Sequence, residues 1–426
     1  MIPSNIDWSL LLIPPITGVI GYITNWVGIR LLFKPLNFVG VRVRGLEEFV
    51  PHLPEKLQQI PGVMEGRLGW QGIIPSRAAK MGSIAVDKGV GKLATQEEYY
   101  DRFDSEEIAS HIVATAGDEI RDLVEEVIRR EHPQLWADMP DAGKELVFTR
   151  VERQLPEVTE RITEEMGHHV DELLDVKLMI MNHLEEHPEL INRMFLETGE
   201  RELKFIVNSG FYLGTLLGMV SIPLFVFVQS PFVLPVAGIF VGYFTNYIAI
   251  KAIFQPQNPI QVGPFTIQGL FLKRQNEASE TYASIVAEDI ITVQNVARNM
   301  LYGRKSDRTR RLIREALRPA VDDAVGVAGP LVRVTTGERE YEAIRESVAT
   351  ESVEAALEPL SDPEFNRQRA AAVQSLVAER MKALSRPEFA ETLRTAFKED
   401  EWMLIWVGAV LGFVAGWIQL AVVTAV

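Results

Sequence analysis

The 426-residue chain has no cysteine, which excludes disulfides, thiolate metal sites and thiol nucleophiles and fits a cytoplasmic setting. It also lacks a G-x-S-x-G elbow, a phosphate loop and a dinucleotide fingerprint, so no common hydrolase or nucleotide chemistry is written locally. Cations are not in excess. The net charge of −15 argues against a general nucleic-acid binder and against a strongly polybasic membrane-surface protein. Charge of either sign is almost missing from four apolar runs, 8–33, 205–228, 232–254 and 402–426, each longer than the ~20 residues needed to cross hydrocarbon. The opening "MIPSNID" has no basic residue and no clear small-residue cleavage site follows it, so the first run is expected to be a retained helix rather than a signal peptide.

What is present gives an orientation. Lys and Arg near helix ends mark the cytoplasmic side. Arg30, Lys34, Arg42 and Arg44 follow the first run, Arg201 and Lys204 precede the second, and Lys251, Lys273 and Arg274 follow the third. Residues 1–7 and the connector 229–231 contain no Lys or Arg. The expected layout is membrane helices within 1–33, 205–228, 232–254 and 402–426, cytoplasmic bodies at 34–204 and 255–401, and both termini outside.

The bodies read as helical. Ile108, Ile112, Ala116, Ile120, Leu123 and Val127 recur at helical spacing with acids opposite, as do Leu155, Val158, Ile162, Met166, Val170 and Leu173. "EHP" at 131–133 and 186–188 should end a helix at each proline. Short extended pieces are expected around Val39–Val43 and Pro264–Ile267. The span 303–318 holds seven basic residues, but Leu312, Ile313, Ala316 and Leu317 make it an amphipathic helix with a solvated basic face, or a contact for anionic lipid. No βαβ alternation occurs. The fold class is an all-α integral membrane protein.

The sequence repeats itself. Gly21, Tyr22, Thr24, Asn25, Ile29, Phe33 and Pro35 match Gly242, Tyr243, Thr245, Asn246, Ile250, Phe254 and Pro256 at a shift of 221, with Arg30 against Lys251. "QGIIPSR" at 71–77 matches "QGLFLKR" at 268–274 at a shift of 197, and Gly210, Leu213, Gly214 and Gly218 recur as Gly408, Leu411, Gly412 and Gly416 at 198. The difference of 24 between the first shift and the second places an insertion at about 36–70. Three ordered matches imply a tandem duplication. Each unit would enter and leave the membrane on the same side, giving a pseudo-twofold along the membrane normal rather than an inverted repeat.

A leading helix with G-Y-x-T-N, then a basic residue, Phe-x-Pro, a QG element, a helical body, "ERELKFI" and a Gly-rich closing helix resembles the YheB/YjiN-like bacterial membrane protein family, domain of unknown function 445. The resemblance covers nearly the whole chain, once per half. It implies an integral protein of the bacterial cytoplasmic (inner) membrane with a helical body between membrane helices, and it transfers no activity or catalytic residue. The duplication departs from that family's usual single copy, as do the insertion and Pro75-Ser76 where the second half has Leu272-Lys273.

The motifs themselves point to packing. Asn25 and Asn246 in hydrocarbon without partners would each cost several kcal/mol, so they should face protein, a small-solute cavity or the interfacial zone. One expectation is interhelical hydrogen bonding with Thr24 and Thr245. Gly210, Gly214, Gly218 and Gly408, Gly412, Gly416 form small-xxx-small surfaces, whose natural partners are the leading helices with Gly18, Gly21, Gly238 and Gly242. Arg30, Lys251, Arg77, Lys273 and Arg274 are candidates for phospholipid headgroup contact or simple snorkelling. "HLEEH" at 183–187 matches H-x-x-E-H, in which His183 and His187 would bind zinc beside Glu186; an accidental match followed by Pro188 is preferred. His168 and His169 are adjacent and so point in different directions. No catalytic residue and no cofactor is expected. The leading functional expectation is a non-enzymatic, membrane-anchored helical scaffold or regulator with lipid and an unidentified protein, or a second copy, as partners. A solute or ion transporter comes next and a metal-dependent hydrolase third.

Overall fold

The computed structural model describes residues 11–43, 63–64, 67–131, 133–228, 230–325, 338–355, 357–398 and 401–425. The helices that matter below are α1 Ile13–Phe33, α2 Ser105–Glu131, α3 Asp141–His168, α4 Pro188–Thr198, α5 Glu200–Val228, α6 Val233–Phe254, α7 Gln275–Ile285, α8 Ser306–Val325, α9 Glu338–Ala355, α10 Arg386–Lys398 and α11 Glu401–Ala425. Four of these, α1, α5, α6 and α11, are long and apolar enough to cross a membrane. They are apolar on every side, the pattern of a helix with no water-facing stripe. Tyr212, Phe227, Phe240, Trp406 and Ile418 stand exposed on them, a surface that suits hydrocarbon and would oppose solubility in water. The chain is a membrane protein.

The closing helix α5 begins earlier than hydropathy suggests, at Glu200. Hydropathy marks where hydrocarbon would end, whereas the helical hydrogen-bond ladder continues through the good helix formers of "ERELK". Trp8, residues 1–7, Arg44, most of the insertion, the first residue of the connector 229–231 and Val426 lie outside the described residues.

The "EHP" at 186–188 acts as expected: a helix ends at Glu186 before α4 starts at Pro188. His132 of the "EHP" at 131–133 lies outside the described residues. Proline has no N–H to give and is tolerated at a first turn. The extended pieces pair locally. Strand β1 (Val39–Arg42) is antiparallel to β3 (Arg67–Trp70), which also pairs with β2 (Val63–Met64). Strand β4 (Ile260–Val262) pairs with β5 (Phe265–Ile267) through a two-residue turn whose Gly263 has φ +58°, as tight hairpins require.

By packing, the chain divides into two compact units that cut across the order read from hydropathy. The first comprises the described residues within 1–89, 181–282 and 381–426; the second, those within 90–180 and 283–380. Parts of both expected bodies, including α4, most of α7 and α10, thus belong with the membrane helices. In the first unit α1 packs along α5 and α6 along α11, with further contacts of α5 with α6 and of α1 with α11. In the second, α2 packs on α3 and α9, and α8 on α3 and α9. The predicted Ala116, Ile120 and Val127 turn inward there, joined by Val124 where Leu123 was expected and is only partly buried, and meet Ile344 and Val348. The basic segment supplies most of α8; Ile313 is buried, while Arg314 and Arg318 stand 3.0 and 3.7 Å from Glu346 and Glu342 of α9.

Candidate functional site

The Thr-Asn pairs sit near the middle of the two leading helices, and each faces the closing helix of its own half. Asn25, 1% exposed, donates from Nδ2 to the carbonyl of Ile206 at 2.8 Å; Asn246, fully buried, donates to that of Leu404 at 3.0 Å. The acceptors obey the same relation as the glycines of the closing helices, so both bonds stand at one register. Among the described residues neither Asn Oδ1 has a hydrogen-bond partner. The threonines do not complete an interhelical network. Thr24 donates to Gly21 O at 3.1 Å and Thr245 to Gly242 O at 3.4 Å, both on their own helix. A hydroxyl at helical spacing reaches the carbonyl three or four residues back more readily than a neighbouring helix.

Glycine explains why the Asn side chains reach. A Cβ at Gly21 would strike the carbonyl of Gly210, and one at Gly242 the carbonyl of Gly408. One turn further along, Gly214 lies against Thr17 and Gly412 against Gly238; beyond that, Gly218 meets Pro14 and Gly416 meets Pro235. Backbones therefore touch at three successive levels in each pair, and the dispersion contacts of two bare helix surfaces replace those of side chains. The QG elements lock the far end of each leading helix: Gly72 N–H donates to Pro35 O at 2.9 Å and Gly269 N–H to Pro256 O at 3.0 Å. Asn192 adds a cap in the first half, donating to Phe33 O at 2.7 Å.

A polar link between the halves was not legible in the sequence. Gln419 of α11 donates to Thr17 Oγ1 at 2.9 Å and to Ile13 O at 3.3 Å on α1. Thr17 itself donates to Ile13 O. Its only sequence signal was a hydroxyl on the glycine face of α1.

The basic residues part company. Arg30 and Lys251 stand exposed at the ends of α1 and α6, each over the aromatic ring one turn back, Trp26 at 5.4 Å and Tyr247 at 5.6 Å. Exposed Lys273 donates to Thr266 O at 3.1 Å, and Arg77 is half-buried. Arg274 departs from the headgroup expectation. Its side chain is 16% exposed and its Nη1 reaches both oxygens of Glu202, at 3.0 and 2.8 Å, while Nε and Nη2 hold Glu277 at 3.0 and 2.7 Å. Glu202 is itself 5% exposed, and a buried carboxylate draws a guanidinium inward because it cannot stand unpaired. The Glu277 hydrogen bond, and beyond it Glu202, pushes the Arg274 pKa further up, and the same bond pulls the Glu277 carboxyl below its usual range. Arg394 makes a second fork, to Glu401 at 2.6 and 2.8 Å, which raises its pKa. Sequence alone could not pair these residues, because each partner has several competitors.

The H-x-x-E-H residues straddle a helix end, with His183 on the last turns of Val176–Glu186 and His187 just before α4. His187 Nδ1 lies 3.1 Å from Glu189. Among the described residues no group of three or more His, Asp or Glu side chains is placed to hold a metal ion.

No family model matches the chain, and no solved structure matches it. Short stretches resemble curated membrane proteins. A UPF0754 membrane protein of Bacillus cereus strain AH187 is 33% identical over 66 residues, 15% of this chain and 18% of that protein. Those of Rippkaea orientalis and Anoxybacillus flavithermus are 36% identical over 74 residues and 38% over 69, covering 16% and 15% of this chain. The chain spans 18% of the length of each of these relatives. Over that stretch it is similar to bacterial membrane proteins of a family without an assigned activity.

Proposed function

We propose that this chain is a tandemly duplicated, non-enzymatic scaffold or regulator of the bacterial cytoplasmic membrane, related to the YheB/YjiN-like family. In this reading its helical bodies lie on the cytoplasmic side, both termini lie outside, and the two leading–closing pairs are related by a pseudo-twofold along the membrane normal. Equal contacts at equal register support the duplication: Asn25 to Ile206 and Asn246 to Leu404, Gly21 to Gly210 and Gly242 to Gly408. Lipid, headgroups at Arg30 and Lys251, and a protein partner or second copy are the proposed partners.

One observation carries the choice of scaffold over transporter. Along the middle of the four membrane helices the donors of Asn25, Asn246, Thr17, Thr24, Thr245 and Gln419 go to a neighbouring helix or to their own backbone, and the space beside them is small. The cavity beside Thr17, Thr24, Ser221 and Gln419 holds about 10 Å³, at or below what one water needs. A conduit would need polar side chains converging on a roomier cavity. The test is flux into proteoliposomes across a panel of ions and small solutes. No flux above protein-free vesicles is expected; a saturable flux abolished by Asn246→Leu would make the protein a transporter.

A further inference from the structure

Beside α1, where α4 hands over to α5, the first unit carries an open groove of about 760 Å³, a size that suits a small ligand or a lipid head group. It is lined by Tyr22 and Trp26 of α1, both exposed, by Glu197 of α4, and by Glu200, Lys204 and Asn208 of α5. The last three stand at i, i+4 and i+8, so they form one stripe along the helix with ~6 Å of rise between neighbours. Arg30 lies over the Trp26 ring, 5.4 Å from its centre, and adds a second cation beside the groove.

Asn208 is out of place there. It falls inside the apolar run 205–228, it is exposed, and its side chain makes no hydrogen bond among the described residues; an unpaired amide facing hydrocarbon is costly. The second half has no such residue. At the shift of 198, Lys204 and Asn208 become Trp402 and Trp406, and Glu200 becomes Lys398. The Trp406 ring stands edge-on to Tyr243, the counterpart of Tyr22, with 6.5 Å between centroids, so rings cover this stripe where the first half sets an acid, a base and an amide in order.

From this order we infer that the groove binds a zwitterionic phospholipid with a primary ammonium, a phosphoethanolamine head group. From the apolar run toward the start of α5, the Asn208 amide donates to a glycerol ester carbonyl, Lys204 holds the phosphate, and Glu200, with Glu197 beyond it, accepts from the ammonium. Lys204 and Glu200 already pair at 2.5 Å, and Glu197 accepts from Arg193 at 2.9 Å. A phosphate–ammonium dipole laid antiparallel to the Lys204–Glu200 pair meets opposite charge at both ends. The uncharged glycerol of an anionic head group leaves the carboxylates unanswered, and a choline has no N–H to give them. Tyr22 and Trp26 fit the glycerol level, where amphipathic rings gather. The inference rests on the proposal that head groups are partners of this chain, and it holds for a scaffold or a transporter alike.

Native mass spectrometry of the delipidated full-length protein, titrated in detergent with phosphatidylethanolamine, phosphatidylglycerol and phosphatidylcholine of one acyl composition, tests it. One saturable phosphatidylethanolamine adduct is expected, half-saturating at about fivefold to tenfold lower concentration than either other lipid. Asn208→Leu, which suits a lipid-facing position, should raise that concentration about fivefold, the loss of one hydrogen bond. Glu200→Gln should remove the preference over phosphatidylglycerol, and Trp406→Leu in the second half should change neither. If Asn208→Leu fails to fold, Glu200→Gln and the lipid series decide. Equal half-saturation by the three lipids would overturn the proposal, as would an unchanged preference in Glu200→Gln. A saturable phosphatidylglycerol adduct lost in Arg30→Gln or Lys251→Gln but kept in Asn208→Leu would refute the groove and leave head groups as partners; no saturable adduct with any of the lipids would refute both.

Discussion

Adding a single methyl group at Gly242 should loosen the second helix pair, while the same methyl at Gly28 should not. A Cβ at Gly242 meets the carbonyl oxygen and carbon of Gly408, both backbone atoms that no rotamer change can move aside. To restore ordinary contact, α6 and α11 must separate by on the order of 1 Å. That shift stretches the 3.0 Å bond from Asn246 to Leu404 O past useful hydrogen-bond length. Overpacking costs about 1–3 kcal/mol and an intramembrane hydrogen bond about 0.6 kcal/mol. The better helix propensity of alanine returns up to about 1 kcal/mol. The net expectation for Gly242→Ala is a loss of about 1–3 kcal/mol. Gly28, also buried in a membrane helix of the same unit, offers its Cβ only the Leu404 side chain at 3.6 Å, an ordinary contact. Gly28→Ala should be neutral or slightly stabilising. Reversible unfolding in mixed micelles, titrated with a denaturing detergent, compares the two directly. If both variants unfold within ~0.5 kcal/mol of each other, backbone contact at Gly408 does not hold this pair together.

Arg274→Met should destabilise the protein by about 3–5 kcal/mol, since it strands the buried Glu202, whereas Arg274→Met with Glu202→Met should recover most of the loss; thermal unfolding in detergent reads both. Because Glu277 has its pKa lowered by the Arg274 hydrogen bond, its contribution is present above the ordinary carboxylate pKa and lost as pH falls through the lowered value; the acid side of the stability profile should flatten in Glu277→Gln, and an unchanged profile would count against the pairing. Asn25→Leu and Asn246→Leu should each cost about 0.5–2 kcal/mol, by similar amounts, and clearly unequal losses would speak against equivalent joints. Reporter fusions at residues 120 and 340 should both read cytoplasmic, and an external reading at either would refute the orientation argued from Lys and Arg.

Composition and pattern alone carried the fold class. Four runs too long and too apolar for a water-soluble core, and amphipathic stripes with prolines at their ends, required membrane helices and helical bodies. The reason is that these features depend on residues close together in the chain. The repeated Thr-Asn and Gly spacings also marked where helices would touch, because glycine at every fourth position exposes backbone whatever lies opposite. Tertiary structure alone decided what did lie opposite. It gave Asn25 the carbonyl of Ile206, 181 residues away, where the expectation was interhelical bonding with the threonine hydroxyls. It joined Gln419 to Thr17, 402 residues away, and turned Arg274 from the surface toward Glu202. A main-chain carbonyl has no residue type to signal it, and a charge among many charges does not announce its partner. Such pairings are set only when the apolar helices, packed as closely as their glycines allow, bring distant atoms within hydrogen-bond reach.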